Sequence, residues 1–376
     1  MRVLLDATAV PADRGGVGRY VDELVPELVA AGVDLVMAVQ ERDLDAYGAL
    51  VPAAELCPAP SAAARRAVRM SWEQVGLPSL VRKVRPDVLH SPHYTLPLAA
   101  GVPTAVTLHD ATFFTTPELH LRSKAVFFRN AIRVARQRAD ALLVPSEATR
   151  DEVLRLVGGA PEKFFVAYHG VDHARFHPTT TDEQLRVRQT LGIEEDTYVA
   201  FLGTLEPRKN VPALIRGWVQ ACAGQANPPA LVLAGARGWD ESIDAAIDLV
   251  PAGLTVRRAG YLPLDDLPAF LGGAVVVAYP SLGEGFGLPV LEAMACRATV
   301  LTTRELSLPE VGGDAVAYCG TDDRSIGREL GALLSSPDER ARLAAAATRR
   351  AEGFTWAAAA QVHLRAYEAA ISASGR

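Results

Sequence analysis

Two glutamates, three glycines and a proline crowd into the stretch Ser281-Leu282-Gly283-Glu284-Gly285-Phe286-Gly287-Leu288-Pro289-Val290-Leu291-Glu292-Ala293-Met294-Ala295. Pro289 suits the first turn of a helix, where a missing N–H costs nothing. The other first-turn N–H groups, at Gly287 and Leu288, lack intrahelical partners and carry partial positive charge. A phosphate placed there meets donors that are already free to bind it. Gly283, Gly285 and Gly287 let a ligand come close to the backbone. Glu284 falls in the loop and Glu292 in the first helical turns, so one carboxylate can face a sugar while the other faces the body of a nucleotide.

Other elements must hold this stretch in place. The apolar run Ala274–Tyr279 reads as a buried parallel strand feeding the loop. Tyr198–Leu202 reads as another strand, followed by Gly203-Thr204-Leu205-Glu206-Pro207-Arg208-Lys209-Asn210. Arg208 and Lys209 are adjacent cations at a strand's carboxyl end, where doubly wound sheets bind ligands. His90, His93 and His109 also fall at strand ends, after Pro86–His90 and Thr104–Leu108. Near the start, the strand Arg2–Asp6 leads to Gly15-Gly16-Val17-Gly18 and a helix from about Arg19 to Ala31. A nicotinamide-binding turn would need its glycines directly after the strand and a glycine where Val21 stands. His169, His173 and His177 recur every four residues, a metal-like spacing if helical. Gly170 and Pro178 argue against a helix there.

With these motifs in view, the chain resembles the retaining glycosyltransferases of family four. Glu284 and Glu292 in the context E-G-F-G-L-P-V-L-E-A-M-A carry the likeness, together with G-T-L-E-P-R-K-N at Gly203–Asn210 and H-G-V-D at His169–Asp172. The resemblance implies an α/β fold of the GT-B class, two Rossmann-like doubly wound domains facing a cleft. Residues 1–178 would form an acceptor-side domain, with a hinge at Pro178–Asp182. Residues 179–355 would bind the donor, and 356–376 would be a helix crossing back to the first domain. The resemblance also gives roles. Arg208 and Lys209 would bind the diphosphate, Glu284 the sugar hydroxyls and Glu292 the ribose. His109 would approach the sugar. Gly15, Gly16, Gly18, Gly203, Gly285, Phe286, Gly287 and Leu288 would surround the donor phosphates or the acceptor, and Tyr261 and Leu262 would lie near the nucleobase. Many members carry arginine where Thr204 stands, which leaves one phosphate cation in question.

Composition bounds the reading. The 376 residues allow two domains, 49% apolar content suits a folded chain, and the net charge is −6. Residues 1–178 balance 20 bases against 20 acids, so the whole deficit lies beyond them, at 18 against 24. No overall basic balance points to nucleic acid. Cys57, Cys222, Cys296 and Cys319 have no metal-ligand spacing and read as reduced thiols. No signal peptide is apparent, and no apolar run approaches the roughly 20 residues of a spanning helix. A cytoplasmic protein is expected. The basic stretch 121–138 reads equally as an anionic-membrane contact, at the inner face of the cell membrane, or as a helix buried on one side and solvated on the other. Residues 45–80 resist placement, although Arg65, Arg66 and Arg69 suggest a short surface helix.

The implied reaction moves a hexose from a nucleotide diphosphate to an acceptor hydroxyl on a glycan, a lipid-linked or a small molecule, with retention and without a metal or other cofactor. Positive potential must meet the charge growing on the leaving diphosphate. The wording of the motifs favours GDP-mannose and polysaccharide or glycolipid assembly, with UDP-glucose or UDP-N-acetylglucosamine as alternatives. Competing activities are a nucleotide-sugar epimerase, a glycan phosphorylase and a silent binding protein. A phosphorylase needs a pyridoxal lysine, and the chain's four lysines leave no good candidate outside the phosphate motif.

Overall fold

Short apolar runs form most of the strands, and those in the middle of each sheet are buried on both faces, as parallel sheets require. In the first sheet these are β1 (Arg2–Asp6), β2 (Asp34–Val39), β3 (Glu55–Pro58), β4 (Val88–Ser91), β5 (Thr104–Thr107), β6 (Ala141–Val144) and β7 (Phe164–Val166). All pair in parallel, in the order β3-β2-β1-β4-β5-β6-β7. The second sheet contains β8 (Tyr198–Leu202), β9 (Ala230–Ala234), β10 (Val256–Gly260), β11 (Val276–Tyr279), β12 (Val300–Thr303) and β13 (Ala317–Cys319). Its order is β10-β9-β8-β11-β12-β13, again parallel throughout. Both sheets reverse strand order once, between β1 and β4 and between β8 and β11, the signature of doubly wound α/β units.

The computed structural model describes residues 1–12, 14–195 and 197–374. The chain divides into one unit of Met1–Gly170 with the stretch from Thr355 onward, and a second of Val171–Phe354. The first crossing therefore falls earlier than the hinge expected at Pro178–Asp182. Val171 and Phe176 explain the difference, since both are buried in the second unit's core. The helix Trp356–Ser374 packs on the helix Gly16–Ala30 and over β4 to β7.

Two local expectations change. The first long helix begins at Gly16, not Arg19, so Gly15 is its N-cap and Gly16 and Gly18 lie in its first turn. The short surface helix suggested around Arg65, Arg66 and Arg69 is the start of one long helix, Arg66–Val84, which buries Leu77 and Val81 and runs through Pro78. It stops at Arg85, whose φ of 50° is left-handed and whose N–H bonds Val81 O. The basic helix Arg122–Arg138 buries Ala125, Ile132 and Ala135, and Phe128 joins the same core. Most of its apolar side chains are thus spent on the protein interior. Residues 169–180 are not helical, and among the described residues no three metal-ligating side chains gather. Among the described residues no helix is long and apolar enough to cross a membrane.

Candidate active site

The loops after β8 and β11 meet at the second sheet's reversal. A backbone bond ties them together: Leu282 N–H donates to Arg208 O at 2.8 Å, and Ser281 Oγ lies 3.1 Å from the same carbonyl. A side-chain cluster closes over this seam. Glu284 Oε1 accepts from Lys209 Nζ at 2.6 Å, from Ser281 Oγ at 2.6 Å and from Tyr279 OH at 2.9 Å. Its Oε2 lies 2.5 Å from Arg208 Nη1. Arg208 also reaches Glu206 Oε1 at 2.8 Å, and Lys209 donates to Tyr279 OH at 2.5 Å. Two cations thus face two carboxylates, and the cluster carries no net charge.

Lys209 and Glu284 are each 7% exposed. Burial would push the Glu284 carboxyl upward, but Arg208 and Lys209 hold it down to about 2. Burial and the neighbouring Arg208 lower the Lys209 ammonium from its usual range, against the pull of Glu284. Burial first, then the Glu284 charge, raises the Tyr279 phenol far above its ordinary value.

The loop after Glu284 is shaped for a helix start. Gly287 takes φ 101° as N-cap of Leu288–Ala295, with proline in the first turn. Ser307 Oγ lies 2.8 Å from Glu284 O and 2.9 Å from Phe286 O, drawing both carbonyls to one side. The Gly287 and Leu288 amides precede the helical ladder, as first-turn amides must. Glu292 is 1% exposed on that helix. Gly203 approaches Gly235 so closely that a Cβ on Gly235 would meet Gly203 O at 2.1 Å. Phe286 is buried and packs edge-to-face on Phe354.

The structure thus brings Arg208, Lys209 and Glu284 together and sets Gly285–Leu288 and Glu292 on the same loop and helix. It does not bring in Tyr261 and Leu262 by side chain. They follow β10 at the sheet edge, with Tyr261 65% exposed and Leu262 buried in the core. Any role for Leu262 rests on its backbone.

Two family models cover most of the chain. Glycosyltransferase Family 4 matches residues 14–175 and Glycosyl transferases group 1 matches residues 183–350. The O-antigen chain mannosyltransferase B of Escherichia coli is 30% identical over 294 residues, 77% of this chain and 76% of that protein. The chain belongs to glycosyltransferase family 4. A D-inositol 3-phosphate glycosyltransferase of Kineococcus radiotolerans is 33% identical over 253 residues, 62% of this chain and 58% of the relative. Among solved structures, Anabaena HepE in complex with UDP and glucose superposes with TM-score 0.76 at 19% identity, covering 97% of this chain and 98% of that one. Sucrose-phosphate synthase of Thermosynechococcus elongatus superposes with TM-score 0.79 at 18% identity, with 98% of each chain covered. The fold of this glycosyltransferase is GT-B.

In the glycosyltransferase's first unit, His109 is half-buried beyond β5. Its Nε2 lies 2.7 Å from Pro92 O. A carbonyl only accepts, so Nε2 carries the proton and Nδ1 is left as an acceptor. Burial lowers the imidazole's affinity for a second proton. Its ring meets Tyr20 edge-on at 5.1 Å. Behind it runs a buried polar chain absent from the sequence reading: Tyr367 OH to His90 Nδ1 at 2.8 Å, His90 Nε2 to Thr107 Oγ1 at 2.9 Å, Thr107 to Tyr20 OH at 2.9 Å and Tyr20 to His363 Nε2 at 2.7 Å. His363 Nδ1 ends on Ala359 O at 2.8 Å. That terminal acceptor sets one direction for every proton in the chain, with both imidazoles neutral. Gly15 and Gly16 face open space, where an added Cβ would meet nothing within 4 Å.

Tyr279, Ser281, Glu206 and Ser307 are the site residues that the sequence reading did not assign. Tyr279 left one signal, a hydroxyl closing an otherwise apolar strand, which needs a partner when buried.

Proposed function

We propose that this glycosyltransferase moves a hexose from a nucleotide diphosphate to an acceptor hydroxyl with retention of configuration, and that the sugar is mannose from GDP-mannose. The cluster of Arg208, Lys209 and Glu284 at the β8/β11 reversal is the observation that carries the reading. The leaving diphosphate gains charge as the glycosidic bond breaks. Fixed cations and helix-start amides stabilise that charge without reorganising, so the proposal needs no metal or other cofactor. The diphosphate would take Arg208 and Lys209 from Glu284, which then turns to the sugar hydroxyls. Glu292 would take the ribose. His109 would contact the sugar through Nδ1 as an acceptor, while its Nε2–H stays on Pro92 O.

Mannose is supported by the likeness to the O-antigen chain mannosyltransferase B and, at 27% identity over 312 residues, to the serotype-specific mannosyltransferase WbdA of Escherichia coli. Glycan or lipid-linked acceptors and a cytoplasmic setting belong to the same reading. Contact with anionic lipid at 121–138 would rest mainly on charge, because Leu121 and Val126 are the large apolar residues of that stretch exposed in the structure.

The test is a donor screen. GDP-mannose, UDP-glucose and UDP-N-acetylglucosamine are compared for protection against thermal unfolding, and the product's anomeric configuration is read by NMR. Protection by UDP-sugars alone overturns the mannose assignment. An inverted product overturns retention, and isomerised donor formed without acceptor indicates an epimerase.

A further inference from the structure

Glu284 pairs with both cations of the cluster, yet each cation also has another side-chain partner. Arg208 has the Glu206 carboxylate at 2.8 Å, and Lys209 has the Tyr279 hydroxyl at 2.5 Å. The two partners differ in charge. Glu206 offsets the guanidinium it holds. Tyr279 stays a neutral phenol, because burial and then the Glu284 charge raise it far above its ordinary range. It therefore orients the ammonium without cancelling its charge. An ammonium has three N–H groups. Tyr279 and Glu284 take two, and among the described residues no acceptor takes the third.

Lys209 cannot hold this position by itself. Its four-carbon stem is flexible and rises from the short turn Pro207–Lys209. Tyr279 is rigid by contrast. It closes β11 and is buried. Its ring stacks on Phe201 of β8, with centroids 6.0 Å apart and planes at 15°. Thr302 Oγ1 of β12 donates to its carbonyl at 2.8 Å. Three adjacent strands thus fix the place of one hydroxyl.

We propose that Tyr279 is a positioning residue for the transfer: its hydroxyl keeps the Lys209 ammonium in place when Glu284 leaves for the sugar. The proposal rests on the transferase reading above. A cation already fixed meets the charge growing on the diphosphate without reorganising. Without the hydroxyl, the flexible Lys209 would follow Glu284 and be withheld from the diphosphate.

Lysine-selective isotope labelling tests the hydrogen bond directly by NMR, because the chain has only Lys83, Lys124, Lys163 and Lys209. The signal lost in Lys209→Arg identifies Lys209. In the wild type, burial and Arg208 lower its proton affinity, while Glu284 and Glu206 act the other way. Tyr279→Phe keeps the ring and removes an acceptor, so the Lys209 titration should move to still lower pH. The basic limb of kcat/KM should move with it. Turnover should fall about tenfold or more, while GDP binding by calorimetry changes less than about threefold. An unmoved Lys209 titration in folded Tyr279→Phe overturns the proposal. So does weaker GDP binding with turnover kept. Should Tyr279→Phe not fold, a fluorinated tyrosine at position 279 alone keeps the hydroxyl and weakens it as an acceptor. It should shift the Lys209 titration and turnover in the same directions, and no change in either overturns the proposal. Failure of the transferase reading would appear separately, as no nucleotide-sugar turnover by the wild-type chain. The lysine titration needs no nucleotide sugar and would stand.

Discussion

Lys209 Nζ and Glu284 Oε1 lie 2.6 Å apart although 75 residues separate them. The contact exists because β8 and β11 are neighbours at the reversal of strand order. It sets a competition, since the cations proposed for the diphosphate are already bound to a carboxylate.

Glu284→Gln removes that carboxylate and leaves two buried cations short of a partner. Loss of one side of a buried pair costs roughly 3–5 kcal/mol. The variant should unfold at lower denaturant, recover part of the loss with GDP, and bind GDP at least as tightly as wild type while turning over slowly. Denaturant titration with and without GDP, beside steady-state rates, checks this. Weaker GDP binding by the variant would remove the competition.

Lys209→Ala should lose about 2–5 kcal/mol of transition-state stabilisation, the range for truncating one partner of a buried charge pair. Circular dichroism should stay close to wild type. Turnover near the wild-type rate in the Arg208→Ala, Lys209→Ala double variant would exclude these cations from the chemistry.

Acid should act on the two units differently. His90, His93, His109, His169 and His363 all lie in the first unit, and burial lowers each one's proton affinity. Their folded forms are neutral, so the unfolded chain binds more protons as pH falls below about 6.5. Stability from these groups is full above that pH and is lost toward the folded value of His363, about 4. In the second unit Glu284 is held down to about 2. Its contribution persists above an unfolded value of about 4.3 and fades only below it. Hydrogen exchange at pH 5 against pH 7.5 should show β4, β5 and residues 356–374 losing protection while β8 and β11 keep theirs.

Two glycines should respond in opposite ways. A Cβ at Gly170 would lie 2.1 Å from Trp356 N, so Gly170→Ala should strongly destabilise the first unit. Gly16→Ala places its methyl in open space within a helix and should raise stability by roughly 0.5–1 kcal/mol. Unchanged activity in this stabilised variant would mean that no ligand passes close to Gly16. Thermal unfolding paired with activity separates the two cases.

Much of this was legible in sequence because it is local. Apolar runs ending in glycine, acid or histidine located most strands, and E-G-F-G-L-P located the loop and helix start. The ion pairs around Glu284 were not legible, since the strand order that brings Arg208 beside it is a tertiary property. Tyr20, His363 and Tyr367 gave no signal either. On a helix they read as ordinary core positions, and only packing on β4 and β5 aligns their polar atoms.

The helix Trp356–Ser374 supplies His363 and Tyr367 to a polar chain whose other side chains come from the first 107 residues. During synthesis, therefore, the unit that begins first cannot be completed first. Until those last turns emerge, Tyr20 and His90 keep Thr107 but each lacks its second partner, and β4 to β7 lack their cover, while Val171–Phe354 has every residue that its own core needs. Because domains generally fold as units, the interrupted unit should be the later of the two to close, and its open sheet the stage most exposed to aggregation and to chaperones.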